Sequence, residues 1–66
     1  MDNTMIKFFI RTSTSVRVAD NFLNENFKFK NTREKITFLT ELFDFEPFEA
    51  SSEKETYKKM LSAIIH

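Results

Sequence analysis

The densest group of chemically reactive side chains in the sequence is a set of three carboxylates, Asp44, Glu46 and Glu49. Paired carboxylates can act as general acid and base, and carboxylate clusters can hold a divalent cation. We expect neither, because the spacing lacks the glycine of a calcium loop and so short a chain encloses little space for a substrate. The only histidine is His66, and the chain has no cysteine or glycine. The sequence therefore predicts a protein that is not an enzyme, with no catalytic residue, metal or cofactor.

Phenylalanines alternate with these carboxylates. Residues 42–49, which we call the acidic-aromatic segment, read Leu-Phe-Asp-Phe-Glu-Pro-Phe-Glu. Rings belong in a core and carboxylates in water, so the pattern predicts apolar groups at the edge of a negative patch that would suit a protein with a basic, apolar surface. The alternative is that the rings fold over the end of the core. The predicted partner-binding residues are Phe43, Asp44, Phe45, Glu46, Phe48 and Glu49.

Positive charge is concentrated in the other half of the chain. Residues 1–33 carry six Lys or Arg against three Asp or Glu, whereas residues 34–66 carry four against seven. Lys28, Lys30 and Arg33 form a possible basic pole that could meet phosphates or an acidic protein. The alternative is that the lysines only protect an edge strand from aggregation.

The length and composition limit the class of protein. Sixty-six residues suffice for a single domain, residues 1–66, with one small core. The absence of cysteine fits a reducing, cytoplasmic setting, and no apolar run approaches the roughly 18–20 residues of a membrane span. Phe, Lys, Asn and Ile make up 26 of the 66 residues, which suggests an AT-rich genome, cellular or viral.

Two short segments have the alternation of β-strands. In residues 5–11, Ile6, Phe8 and Ile10 alternate with Lys7, Phe9 and Arg11, and residues 27–30 alternate phenylalanine with lysine. We predict strands at both. The first segment could instead be a short helix, because Met5, Ile6, Phe9 and Ile10 also fall at helical spacing.

Three other segments have helical periodicity. The spacing of apolar residues predicts helices over residues 15–26, 32–43 and 53–65. Ser15, Asn31 and Ser52 are the predicted N-caps, the last two with Glu34 and Glu55 three residues later as in a capping box. In a chain without glycine, we expect Asn24, Asn26 or Asp44 wherever the backbone needs positive φ.

These elements predict an α+β fold of two layers. A short two- or three-stranded sheet, from residues 5–11 and 27–30, would be covered by two or three helices, the last two packed as an antiparallel pair. The alternative is an all-α three-helix bundle. In either fold we expect a non-catalytic protein–protein interaction module, such as a small inhibitor or adaptor of a phage or plasmid type, for which a homodimer is one expected assembly.

A second function comes from the order of the elements. A strand at residues 27–30 followed by two capped helices resembles the ribbon-helix-helix family of dimeric DNA-binding transcriptional regulators. The resemblance spans about forty residues and implies that Lys28 and Lys30 contact bases and that Ser51 and Ser52 hold a phosphate. The chain departs from the family in its acidic connection between the helices and in the 26 residues before the ribbon.

Overall fold

A computed structural model describes residues 2–66 of the chain. This range folds into four helices, α1 (Asn3–Arg11), α2 (Val16–Asn26), α3 (Thr32–Phe43) and α4 (Glu53–Ile65), and contains no strand. The predicted α+β fold is therefore wrong, and the all-α alternative is right, with one helix more than the three predicted. None of the four helices is long and apolar enough to cross a membrane.

The predicted strand at residues 5–11 is helix α1. Asp2 caps it, since the carboxylate accepts a hydrogen bond from the Met5 backbone N–H at 2.9 Å. Ile6 and Ile10, four residues apart, are buried on one face of the helix, but Phe8 is 60% exposed. A strand would have placed all three on the same side, so the apparent alternation was coincidental and the helical spacing was the relevant period.

The predicted strand at residues 27–30 is an extended connection without a partner strand. Its alternation correctly indicated burial on one side, because Phe27 and Phe29 are half-buried whereas Lys28 and Lys30 are exposed. The two rings pack on Phe38 of α3, with centroids 4.8 and 5.5 Å from its ring. The alternation in residues 27–30 thus indicated an extended segment that packs on the core, but it did not indicate a strand of a sheet.

The other three helices match their predicted ranges closely, and their caps explain why. Ser15, Asn31 and Ser52 each accept a hydrogen bond from the backbone N–H three residues later, at 3.2, 3.0 and 3.2 Å. Glu34 also reaches back, but its carboxylate accepts from the N–H of Lys30 instead of Asn31. These local bonds fix where each helix begins.

The last two helices do not form the expected antiparallel pair. Their first turns lie together, because Arg33 Nε of α3 donates to Glu53 Oε2 of α4 at 2.8 Å. An antiparallel pair would place the start of one helix against the end of the other. Residues 44–52 must therefore return along α3, whose twelve residues span about 18 Å, a distance that nine extended residues cover easily.

The core lies around α4, which packs against each of the other three helices. Nine buried residues form one cluster in which every helix takes part. Leu23, Leu39, Met60 and Leu61 are completely enclosed. The members of the cluster are Ile6, Ile10, Ala19, Leu23, Leu39, Leu42, Tyr57, Met60 and Leu61.

Candidate docking surfaces

The acidic-aromatic segment starts where α3 ends. Asp44 has left-handed backbone dihedrals, φ 57° and ψ 56°, and closes the helix as its C-cap. Its N–H and that of Phe45 both donate to the Thr40 carbonyl, a common way to satisfy the last carbonyls of a helix. Among residues 2–66, Asp44 is the one position with positive φ, so this expectation is confirmed for Asp44, whereas Asn24 and Asn26 lie inside α2.

The three predicted rings of the segment form a graded series from core to surface. Phe43 and Phe45 are half-buried with centroids 6.3 Å apart, and Phe48, 5.8 Å further on, is exposed at 37%. The guanidinium of Arg11 lies 5.4 Å from the Phe43 ring centre, within cation–π range. The fold therefore covers the first two rings only partly and leaves the third open.

Two of the three predicted carboxylates line a shallow groove. Asp44, Glu46 and Glu49 are all exposed, and the first two line a groove of about 420 Å³ together with Glu41 of α3 and the Phe45 ring. We call this the acidic groove. Glu41 was not predicted, although its spacing of three residues from Asp44 would have placed it on the same side of the helix end.

The predicted basic pole does not form one cluster. Lys28 and Lys30 are exposed on the connection before α3, while the charge of Arg33 is paired with Glu53. Cations gather elsewhere, around a groove of about 660 Å³ between α2, α4 and the start of α3. Its basic lining residues are Arg17, Lys35, Lys54, Lys58 and Lys59, none of which belongs to the predicted basic pole.

A polar network lies at the floor of this basic groove. Asp20 Oδ1 accepts hydrogen bonds from Tyr57 Oη at 2.6 Å and from Lys35 Nζ at 3.1 Å, which ties α2 to α4 and α3. Asn24 Nδ2 donates to the other carboxylate oxygen at 3.2 Å. The Lys35 ammonium also lies 5.2 Å from the centre of the Tyr57 ring. Since the bonds to Asp20 join three helices, they have a structural role.

The network shifts the pKa values of two of its members in opposite directions. Burial alone would raise the pKa of the Asp20 carboxyl, but the hydrogen bonds from Tyr57, Lys35 and Asn24 and the charge of Lys35 outweigh burial and hold it below its ordinary value. Burial, together with the hydrogen bond to Asp20 and its negative charge, raises the pKa of Tyr57 well above the ordinary phenol value. Tyr57 is therefore a neutral donor and Asp20 a charged acceptor.

An unpredicted apolar surface covers one side of α1 and α2. Four of the five exposed large hydrophobic side chains of residues 2–66 lie there: Met5 at 50%, Phe8 at 60%, Phe9 at 42% and Val18 at 46%. The half-buried Phe22 joins the two helices, since its ring stacks on that of Phe9 at 5.4 Å. We call Met5, Phe8, Phe9, Val18 and Phe22 the aromatic face.

Comparison with known proteins gives no assignment for these surfaces. No protein-family model matches the chain, and neither the curated proteins nor the solved structures contain a significant match. Residues 2–66 contain no group of three or more histidine, cysteine, aspartate or glutamate side chains placed to share a metal ion. The function is therefore inferred from the chemistry of these surfaces.

Proposed function

We propose that the protein is a non-catalytic protein–protein interaction module, a small cytoplasmic inhibitor or adaptor, that docks through its acidic-aromatic segment. The observation that carries the proposal is the position of Phe48, an exposed ring in edge contact with Phe45 and next to three exposed carboxylates. An exposed ring with a charged rim has the composition of an interaction site.

The acidic groove defines the chemistry of the partner. Glu41, Asp44 and Glu46 surround a space in which the Phe45 ring forms an apolar wall. A lysine or arginine side chain fits this arrangement, because its charged end meets carboxylates while its methylene stem lies on the ring. An apolar neighbour of that cation would then contact Phe48.

The DNA-binding alternative depended on a ribbon at residues 27–30. That segment pairs with no other strand in the described chain. Its lysines are exposed, but Arg33 is paired with Glu53 and the connection after α3 is acidic. We therefore retain protein docking as the proposal.

The test is a titration of the isotope-labelled protein with a synthetic peptide that alternates arginine with leucine, followed by backbone NMR shifts. We expect shifts concentrated in residues 41–49. The Glu46→Gln, Glu49→Gln double variant should bind roughly tenfold more weakly, since each lost ion pair contributes up to about 1 kcal/mol.

The matched control removes two exposed carboxylates elsewhere, with Glu25→Gln and Glu55→Gln. It has the same net charge as the test variant, so it should bind as the wild type does if local contacts matter. Equally weakened peptide binding in both variants would show that net charge alone causes the effect, and this would contradict the proposal. Shifts confined to other residues would contradict it as well.

A further inference from the structure

The aromatic face is a larger open apolar surface than the fold requires. Exposed large hydrophobic side chains scattered singly are normal on a protein, but here four of the five cluster on one side of two adjacent helices. Met5 is three and four residues before Phe8 and Phe9, and Val18 is four before Phe22, so each set is contiguous on its helix. The Phe9–Phe22 stack joins the two sets into one patch.

The patch is large enough for the centre of a protein interface. A phenylalanine buries about 150–250 Å² when enclosed, so Phe8 and Phe9 together leave roughly 200 Å² open. Met5, Val18 and Phe22 add to this area and bring the patch into the range of about 300–600 Å² typical of the largest, often functional, patches on monomers. A standard interface takes about 800 Å² from each partner, of which a little over half is apolar.

The chemistry of the patch selects a neutral partner. None of its five members is charged, and the Arg11 guanidinium of α1 lies over the Phe43 ring. A charged group placed over the centre of the patch would lose hydration without meeting an opposite charge among these five residues. The same patch on a second copy of the chain, which is also neutral and made of phenylalanine and methionine, meets this requirement.

We propose that the aromatic face is the centre of a symmetric dimer interface, in which α1 and α2 of one copy pack against α1 and α2 of a second copy. A two-fold interface repeats every contact, so one patch of this size on each copy supplies both halves of the apolar centre. A chain of 66 residues without cysteine, and without a metal site among its described residues, has a limited core, and association is the usual remaining means of stabilising so small a fold. None of the five residues of the face belongs to the acidic-aromatic segment, so the two proposals concern different side chains.

The test is light scattering and sedimentation of the wild type over about a hundredfold range of concentration, with thermal unfolding measured across the same range. We expect twice the monomer mass of 7.9 kDa and a melting temperature that rises with concentration. Phe8→Glu should weaken the dimer on the order of thirtyfold or more, as expected for a central aromatic residue. Val18→Glu, on the other helix, tests the same face independently.

The matched control is Phe48→Glu, the same change at the remaining exposed large hydrophobic residue. It should leave the dimer intact, and the helical circular dichroism of each variant confirms that it is folded. A wild type that stays monomeric throughout would overturn the proposal, and so would a dimer that resists both Phe8→Glu and Val18→Glu. Equal dissociation by Phe48→Glu would assign the interface to a different surface and also contradict it.

Discussion

Two regions of the molecule use aromatic side chains in opposite ways. At the helical junction, where α2, α3 and α4 meet around Asp20, Lys35 and Tyr57, the ring of Tyr57 is enclosed and its hydroxyl bonded. On the open surfaces, namely the aromatic face and the acidic-aromatic segment, Phe8 is 60% and Phe48 is 37% exposed. The difference separates stability from docking, because residues that hold the fold together are not those available to a partner.

The largest expected contrast is between a leucine of the buried core cluster and a ring of the open surfaces. Leu39→Ala should lower the free energy of unfolding by about 2–5 kcal/mol, because Leu39 is fully enclosed and its removal leaves a cavity. Phe48→Ala should lower it by about 1 kcal/mol or less, since that ring is already partly hydrated. Urea unfolding followed by helical circular dichroism measures both.

Because the whole fold is small, Leu39→Ala could lose all helical structure before urea is added. Leu39→Met is the milder companion, expected to cost less than about 1.5 kcal/mol because it conserves volume. Similar losses for Leu39→Ala and Phe48→Ala would break the contrast, since the segment would then be part of the core.

The sequence predicts those parts of this division that depend on local interactions, and it does not predict those that depend on contacts between distant residues. The caps at Ser15, Asn31 and Ser52 are local, so the bounds of three helices were predicted almost to the residue. Helix α1 was misassigned because residues 5–11, the last seven of its nine residues, fit both periods, and only packing of Ile6 and Ile10 onto the core decides between them.

The aromatic face was missed for a related reason. As a helix, α1 has two apolar sides, with Ile6 and Ile10 on one and Met5, Phe8 and Phe9 on the other. The sequence does not indicate which side the rest of the chain will cover. By contrast, the acidic-aromatic segment was found because its rings alternate with carboxylates, and carboxylates belong in water.

A second, smaller contrast lies within the network of the junction. Tyr57→Phe should reduce stability by about 1–3 kcal/mol, because it removes a short hydrogen bond to a charged acceptor and leaves Asp20 less well satisfied. Asn24→Ala removes an exposed bond to the same carboxylate and should change stability by about 0.5 kcal/mol or less. Chemical unfolding of the two variants side by side is the measurement, and a smaller loss for Tyr57→Phe than for Asn24→Ala would refute the structural role of the network.

The protonation of Tyr57 gives an optical test of how closed the junction is. Tyr57 is the only tyrosine and the chain has no tryptophan, so the ultraviolet absorbance of tyrosinate reports this one phenol. Its folded pKa is raised, so its contribution to stability is complete below the unfolded value of about 10 and is lost as the pH rises above it. We expect native tyrosinate to appear only well above pH 10, and the urea-unfolded chain to titrate near its ordinary value. Coincident titration curves would show that the junction is open to water.

Asp44 contributes both to stability and to the docking surface, because its backbone closes α3 while its carboxylate lines the acidic groove. Glycine adopts the left-handed conformation without the strain of a Cβ, so Asp44→Gly should stabilise the fold by about 0.5 kcal/mol after the greater freedom of the unfolded chain is included. Asp44→Val, which tolerates positive φ poorly, should destabilise it by more than about 1 kcal/mol.

Both Asp44 substitutions remove the same charge from the acidic groove, so their effects on binding and on stability can be compared directly. If the segment docks a cationic partner, the arginine-leucine peptide should bind both variants more weakly, whereas their stabilities move in opposite directions. Binding that followed stability, stronger for Asp44→Gly and weaker for Asp44→Val, would show that the order of the segment matters more than its charge. The separation of stability from docking would then fail at Asp44, the one residue that contributes to both.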